Sequence, residues 1–382
     1  MASSAYPGSL IPHGSRVRLK LKANNRIYDR IPLYCKRLVQ DESSKKYDGM
    51  IWNPVELFKW NDKGFVPQKP LYIYECHIGM SGEKEGISTY IEFSENILRR
   101  VKKLGYTAIQ IMAIMEHPYY GSFGYQVSNF FAVSSRFGTP EDFKTLIDKA
   151  HGMGIAVIMD LVHSHTVKNT LEGLAEFDGT DYQFCHSGSK GTHSAWNSRL
   201  FNYGKPDVQR FLLSNVKYWL DEYHLDGFRF DGVTSMLYLH HGLGMSFDNY
   251  TKYFSMNTNV DAVAYLQLAA ELTKEVNPNA ILIAEDMSGM PGMCLPILEG
   301  GIGFDYRLNM GLPDFLIELM KTKDENWNLG KLWYEVTSHR PNEKVISYAE
   351  SHDQALVGNK TLMFWMADKE QSPMLFPTAY NK

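Results

Sequence analysis

The sequence predicts an α/β protein built on a parallel sheet covered by helices, and three observations carry that expectation. From residue 70 onward short apolar runs, at 71–80, 106–114, 156–162, 227–232 and 281–286, alternate with amphipathic stretches. Strands that are apolar without interruption are those buried on both faces, as parallel strands are. The intervening stretches carry helix start and stop signals. Finally, the apolar runs repeatedly close in charged residues, at the strand ends where parallel α/β folds gather their chemistry. A doubly wound sheet and a closed barrel both satisfy these observations. No G-x-G-x-x-G follows the first run, which weighs against the dinucleotide-binding form.

Residues 1–67 read differently from the rest. SRVRLKLKAN (15–24) alternates basic and apolar residues as a half-exposed strand does, and YDGMIWNP (47–54) is turn-rich and aromatic. This part reads as a β fragment and a linker. LYIYECHIGM (71–80) is the first apolar run. FSENILRRVKKLG follows, with Ser94 as cap, Ile97, Leu98, Val101 and Leu104 on one face, and Gly105 as the stop. The next helix, TPEDFKTLIDKAHGMG, has Thr139 as cap and Pro140 in its first turn, where a missing amide proton costs nothing. KPDVQRFLLSNVKYWLDEYHLDG carries Val208, Phe211, Leu212, Val216, Trp219 and Leu220 at three-and-four spacing and delivers the chain to GFRFDG. NVDAVAYLQLAAELTKEV precedes ILIAED; GFDYR (303–307) is a weaker sixth run and KVISYAESHD (344–353) a seventh.

The chain of 382 residues suffices for a large domain with a sizeable core. With 44% hydrophobic residues, 21% charged residues and a net charge of −4, it has the composition of a soluble globular protein, without the basic stripe of a nucleic-acid binder. Cys35, Cys76, Cys185 and Cys294 lie far apart with no C-x-x-C pair, which indicates neither a disulfide framework nor a zinc ribbon and fits a reducing, cytoplasmic setting. The N-terminus lacks the apolar segment of a signal peptide, and no run approaches the roughly 20 apolar residues of a membrane span.

The run ends carry Glu75 and His77, then Asp160, His163 and His165, then Arg229 and Asp231, then Glu285 and Asp286, and finally Glu350, His352 and Asp353. Singly, each has an ordinary explanation: a lone carboxylate after a strand is more often a helix cap or solvated loop charge, and a satisfied hydrogen-bonding histidine is likelier than a metal ligand. Tyr125 in YGSFGYQVSNFFA is, by itself, more often a core aromatic. Together they favour chemistry. Strand alternation points Arg229 and Asp231 into one space, and an adjacent guanidinium keeps a carboxylate ionised, as a nucleophile requires. Glu285, after the apolar ILIA, is expected to be partly desolvated and held protonated as a general acid. Two carboxyls in opposed environments suit glycosidic-bond chemistry, and Asp353 with His352 could bind sugar hydroxyls and stabilise an oxocarbenium-like transition state.

Four ordered segments, MDLVHSH (159–165), GFRFDGV (227–233), AEDMSGMP (284–291) and SYAESHDQALVGNK (347–360), resemble the signature segments of the α-amylase superfamily. YECHIGM, GYQVSNFFA and HHGLGMSFDNY make the chain similar to the eukaryotic glucan-branching subgroup, from about residue 11 to about residue 371. The resemblance implies a (β/α)8 TIM-type barrel, with Asp231 as nucleophile, Glu285 as general acid/base and Asp353 as transition-state stabiliser. It also implies that His165 and His352 bind the sugar, that Arg229 holds Asp231 ionised, that Asp160 supports the site and that Tyr125 stacks beneath the ring. The implied reaction cleaves an α-1,4-glucan by retaining double displacement, with carboxyls about 5 to 5.5 Å apart, and passes the chain to a 6-hydroxyl to make an α-1,6 branch of glycogen or starch. The substrate partner is an α-glucan such as glycogen or amylose, with neither nucleic acid nor membrane, and the chemistry asks for no cofactor and no metal. Without the resemblance, the residues read as far as retaining α-glucan chemistry. A hydrolase or a non-catalytic glucan-binding fragment are the alternatives.

Ser164 stands where many superfamily members have Asn, which reads as a feature of the subgroup. The chain departs from the family at both ends. The resemblance implies a partial carbohydrate-binding β-sandwich and linker over 1–67, a barrel over 68–371 lacking its last strand, and an unrelated tail over 372–382. A barrel missing a strand leaves open edges, and an error of about 1 Å in the site costs on the order of a hundredfold in rate, so the chain alone is expected to be weakly active or inactive.

Overall fold

The computed structural model describes residues 10–357 and 360–366; the tail expected from Ser372 lies outside them. The chain divides into two compact units, Met1–Gly244 with Phe254–Leu282, and Met245–Tyr253 with Ile283–Lys382.

The first unit opens with β1 (Arg16–Val17), β2 (Leu19–Ala23), β3 (Arg26–Arg30), β4 (Arg37–Gln40) and β5 (Tyr47–Met50). The alternating 15–24 segment forms β1 and β2, and β2 pairs with β3 in a hairpin. Asn24 and Asn25 turn that hairpin with φ of 49° and 58°, the left-handed pair a two-residue turn needs. The stretch expected to be turn-rich at 47–54 instead supplies β5, the middle strand of a β1-β5-β4 sheet. Tyr47 accounts for the difference: it is buried in a cluster with Ile31, Cys35, Leu38 and Ala132, and that packing overrides the local turn signals.

The parallel part follows with β6 (Ile73–Cys76), α1 (90–103), β7 (Ala108–Ile111), the antiparallel pair β8 (Met115–Glu116) and β9 (Asn129–Val133), α2 (Pro140–Gly152) and β10 (Ala156–Leu161). A small antiparallel sheet of β11 (Thr166–Val167), β12 (Thr192–His193) and β13 (Ser198–Arg199) precedes α3 (Pro206–Tyr223), β14 (Gly227–Phe230) and α4 (Val233–Leu237). After α5 (Tyr250–Tyr253) come α6 (Val260–Val276) and β15 (Ile281–Ala284). Helix α1 starts earlier than the Ser94 cap expected for it: Thr89 caps it, with Glu92 closing a capping box, and Ser94 turns its hydroxyl back to the Ile91 carbonyl. Thr139 and Pro140 begin α2 as anticipated, and the six apolar residues named for α3 are all buried.

The strands of this unit stand in the order β6-β7-β10-β14-β15, and the β6–β7, β7–β10 and β10–β14 pairs are parallel. Each strand lies beside its successor in the chain with no reversal, which is barrel-type winding; a doubly wound sheet switches direction part-way. In the second unit β15 ends and pairs in parallel with β16 (Tyr306–Leu308), then come α7 (Gly311–Met320), α8 (Leu329–Thr337), β17 (Val345–Ile346), α9 (His352–Val357) and α10 (Leu362–Met366), with β16 and β17 also parallel. The seventh run is therefore a strand over only two residues, and His352 opens a helix.

One clasp at the amino-terminal ends of the strands fixes the register that the site depends on. The Asp226 carboxylate, just before β14, accepts the amide proton of Val157 in β10 at 2.7 Å. It also meets His151 Nε2 at 2.8 Å, while His151 Nδ1 meets Asp62 at 3.0 Å. His224 Nδ1 reaches the same Asp62 oxygen at 2.9 Å, and Phe65 and Trp60 stack on the two imidazoles at 4.1 and 4.0 Å. Two carboxyls, one at each ring nitrogen, favour the charged form of the imidazole. Burial works against that charge, but Asp226 and Asp62 outweigh it and raise the His151 pKa.

Candidate active site

With β10 and β14 in this register, Asp160 lies directly opposite Arg229. Neighbouring residues of parallel strands share a face, so the guanidinium reaches across to Asp160 and along its own strand to Asp231. Arg229 Nη1 donates to Asp160 Oδ2 at 3.0 Å and to Asp231 Oδ1 at 2.9 Å. Asp160 is fully buried and Arg229 nearly so, whereas the Asp231 side chain keeps 13% of its surface. The nucleophile candidate is thus the member of the cluster that faces outward. A cation at this distance favours the ionised carboxylate.

Tyr125 donates its hydroxyl to Asp160 Oδ2 at 2.6 Å. Burial pushes the phenol's pKa well up and Asp160 adds to it, so the hydroxyl keeps its proton and acts as a donor. The backbone carbonyl of Tyr125 meets His165 Nε2 at 2.7 Å, and Ser164 Oγ lies 2.9 Å from His165 Nδ1. Burial pushes the His165 pKa down to about 4, leaving the ring neutral. Five residues named from the sequence, Tyr125, Asp160, His165, Arg229 and Asp231, are therefore brought together within the first unit.

The second unit carries the other three. Glu285 follows the fully buried β15 and is half-buried, while its neighbour Asp286 is buried. Asp286 accepts the amide protons of Ser288 and Met290 at 2.9 and 3.0 Å and the Ser288 hydroxyl at 2.6 Å, which makes it the brace of the loop after β15. His352 Nε2 lies 3.4 Å from Asp353 Oδ1 at the start of α9, and the Asp353 side chain is 43% exposed.

The remaining strand-end histidines have structural partners. His163 is buried between the Tyr265 hydroxyl and Asn215 Oδ1, at 2.6 and 2.9 Å, as a satisfied core histidine. His77 caps the turn Ile78–Met80 by accepting the Met80 amide proton. Among the described residues no group of three or more His, Cys, Asp or Glu is placed to hold a metal ion.

Two residues were not anticipated. Trp196 stacks on the buried His193 at 3.9 Å and sits 5.1 Å from the His165 ring. It also bounds Gly232, next to Asp231: a Cβ there would come within 3.0 Å of the indole and 2.9 Å of Ser164 Oγ. An aromatic face beside a carboxylate cluster suits a sugar ring. The only signal in the sequence was an isolated Trp in a polar loop, THSAWNSRL.

The sequential winding is that of a barrel-type α/β protein, and the family follows from comparison: residues 82–370 match the α-amylase catalytic domain, and the chain belongs to that family. Its curated relatives are more particular. A protein of Yarrowia lipolytica, 55% identical over 94% of this chain and 54% of its own length, is named 1,4-alpha-glucan-branching enzyme. One of Arabidopsis thaliana, 54% identical over 94% of this chain and 45% of its own length, is named 1,4-alpha-glucan-branching enzyme 2-2, chloroplastic/amyloplastic. The chain thus spans about half the length of the curated relatives it matches. Among solved structures, the pullulanase SAP of group B Streptococcus aligns at 19% identity and TM-score 0.63, over 88% of this chain and 48% of that one, which supports the fold.

Proposed function

We propose that this chain carries the catalytic groups of a glucan-branching transferase. The observation that carries the reading is Arg229 Nη1 held between Asp160 and Asp231, at 3.0 and 2.9 Å, in a family whose chemistry is glycosidic. Asp231, kept ionised and outward-facing, attacks the anomeric carbon of an α-1,4-linked glucan. Glu285 protonates the departing glycosidic oxygen, and the covalent glucosyl ester forms as that bond breaks. The 6-hydroxyl of an acceptor chain then displaces Asp231, giving its proton to Glu285 and leaving an α-1,6 branch. By resemblance, Asp353 has the role of stabilising positive charge, His352 and His165 of binding the sugar, Asp160 of supporting the site and Tyr125 of stacking beneath the ring. Residues 1–67 are assigned as part of a carbohydrate-binding β module and 68–371 as the catalytic barrel. Four unpaired cysteines fit a reducing compartment, the cytoplasm in our reading, and no helix of the described residues is long and apolar enough to cross a membrane.

Incubation with amylose tests this. Falling iodine staining without new reducing ends, abolished by Asp231→Asn, is the expected outcome. Accumulating reducing ends would instead make the protein a hydrolase, and glucan retention with no turnover, unaffected by Asp231→Asn, a binding protein.

A further inference from the structure

The residue that departs from the superfamily pattern, Ser164, sits between two groups of the site. Its hydroxyl oxygen is 2.9 Å from His165 Nδ1 and 3.4 Å from Asp231 Oδ2, and the side chain is buried. One hydroxyl proton therefore faces two acceptors. The backbone decides which receives it. His165 Nε2 lies 2.7 Å from the Tyr125 carbonyl, which only accepts, so that nitrogen carries the proton. In the neutral ring Nδ1 is then a lone pair, and the shorter contact takes the Ser164 proton. Asp231 Oδ2 faces the hydroxyl oxygen instead of its hydrogen. Tyr203 holds the segment in place by donating to the His163 carbonyl at 2.7 Å.

We propose that Ser164 is a positioning residue that gives its proton to His165 and withholds it from the nucleophile Asp231, so that the charge of His165 governs how strongly Asp231 can attack. The inference rests on Asp231 being the nucleophile. When His165 becomes protonated, Nδ1–H donates to Ser164 Oγ and the hydroxyl proton turns to Asp231 Oδ2. A hydrogen bond to that oxygen ties up the lone pairs that attack carbon. The groups facing His165 are the Ser164 hydroxyl, the Tyr125 carbonyl from the loop before β9, His193 from β12 and Trp196 from the turn after it, with Asp231 reached through Ser164. Ser164 contacts both His165 Nδ1 and Asp231 Oδ2.

Two measurements on the full chain test this. The His165 ring is titrated by NMR in the wild type, in Ser164→Ala and in Ser164→Thr. Ser164 accepts from the protonated ring a charge-assisted bond stronger than the one it gives the neutral ring, so S164A should move the His165 midpoint down by about half a pH unit or more, with S164T near wild type. Covalent labelling of Asp231 by a fluorinated glucosyl fluoride is then followed across the acid limb by mass spectrometry. In S164A no hydroxyl proton remains to turn to Asp231, so the labelling limb should cease to follow the His165 midpoint, and S164T should restore the link. A His165 midpoint that S164A leaves in place overturns the proposal. So does a labelling limb that still follows the His165 midpoint in S164A. Absence of labelling in every variant, wild type included, would count against Asp231 as nucleophile, whereas the titration alone decides the Ser164–His165 contact.

Discussion

Arg229 serves two carboxylates through one nitrogen while itself buried, and that makes it the residue on which the most depends. Breaking a buried ion pair by removing one partner costs about 3–5 kcal/mol, because the remaining charge is left uncompensated. Arg229→Gln should therefore lower the unfolding free energy by roughly that amount in urea melts, and Asp160→Asn in the same chain should recover part of it. A loss no larger than that of an exposed arginine would show that the cluster is solvated. The pairing of Arg229 with Asp231 was legible in the sequence because two residues apart on a strand means one face. The addition of Asp160 was not, since it needs the register of β10 against β14. Tyr125 was named through resemblance, but its contact is a hydrogen bond to Asp160. Trp196 went unnoticed because a loop aromatic has no periodicity to place it.

At the scale of elements, the register is held at the opposite ends of the strands. The raised pKa of His151 means that its contribution is fully present below about pH 6.5, the ordinary imidazole value, and is lost as pH rises through the raised midpoint. Replacing His151 with Gln should cost about 1–3 kcal/mol on the acid side, and the gap from wild type should narrow as pH climbs. Melts showing a pH-independent difference would contradict this. Gly227 opens β14 with φ of 150°, and a Cβ there would lie 2.0 Å from the Ile281 carbonyl oxygen. Gly227→Ala should destabilise by more than about 2 kcal/mol through backbone displacement, and a melt within 0.5 kcal/mol of wild type, roughly the scatter of harmless substitutions, would show that the strands part easily. Helix positions and most caps were readable because apolar spacing and Thr-Pro signals are local. The start of α1 was misplaced because two cap candidates, Thr89 and Ser94, compete over five residues, and only Thr89 has a glutamate three residues on. Strand β17 is shorter than its apolar run because an apolar stretch does not itself report where pairing stops.

For the whole molecule, alternating runs pointed to a parallel α/β fold but left winding open, and the sequential strand order decides it. The division into two units has no local signal, since the boundary after Leu282 falls inside β15. The proposed function makes Asp231 the covalent nucleophile of a retaining α-glucan enzyme. A fluorinated α-glucosyl fluoride traps such an intermediate independently of the later acceptor. Mass spectrometry of the digested chain should find one glucosyl adduct on the peptide containing Asp231 and none in Asp231→Asn. An adduct on another carboxylate, or none under conditions where a related branching enzyme is labelled, would contradict the account.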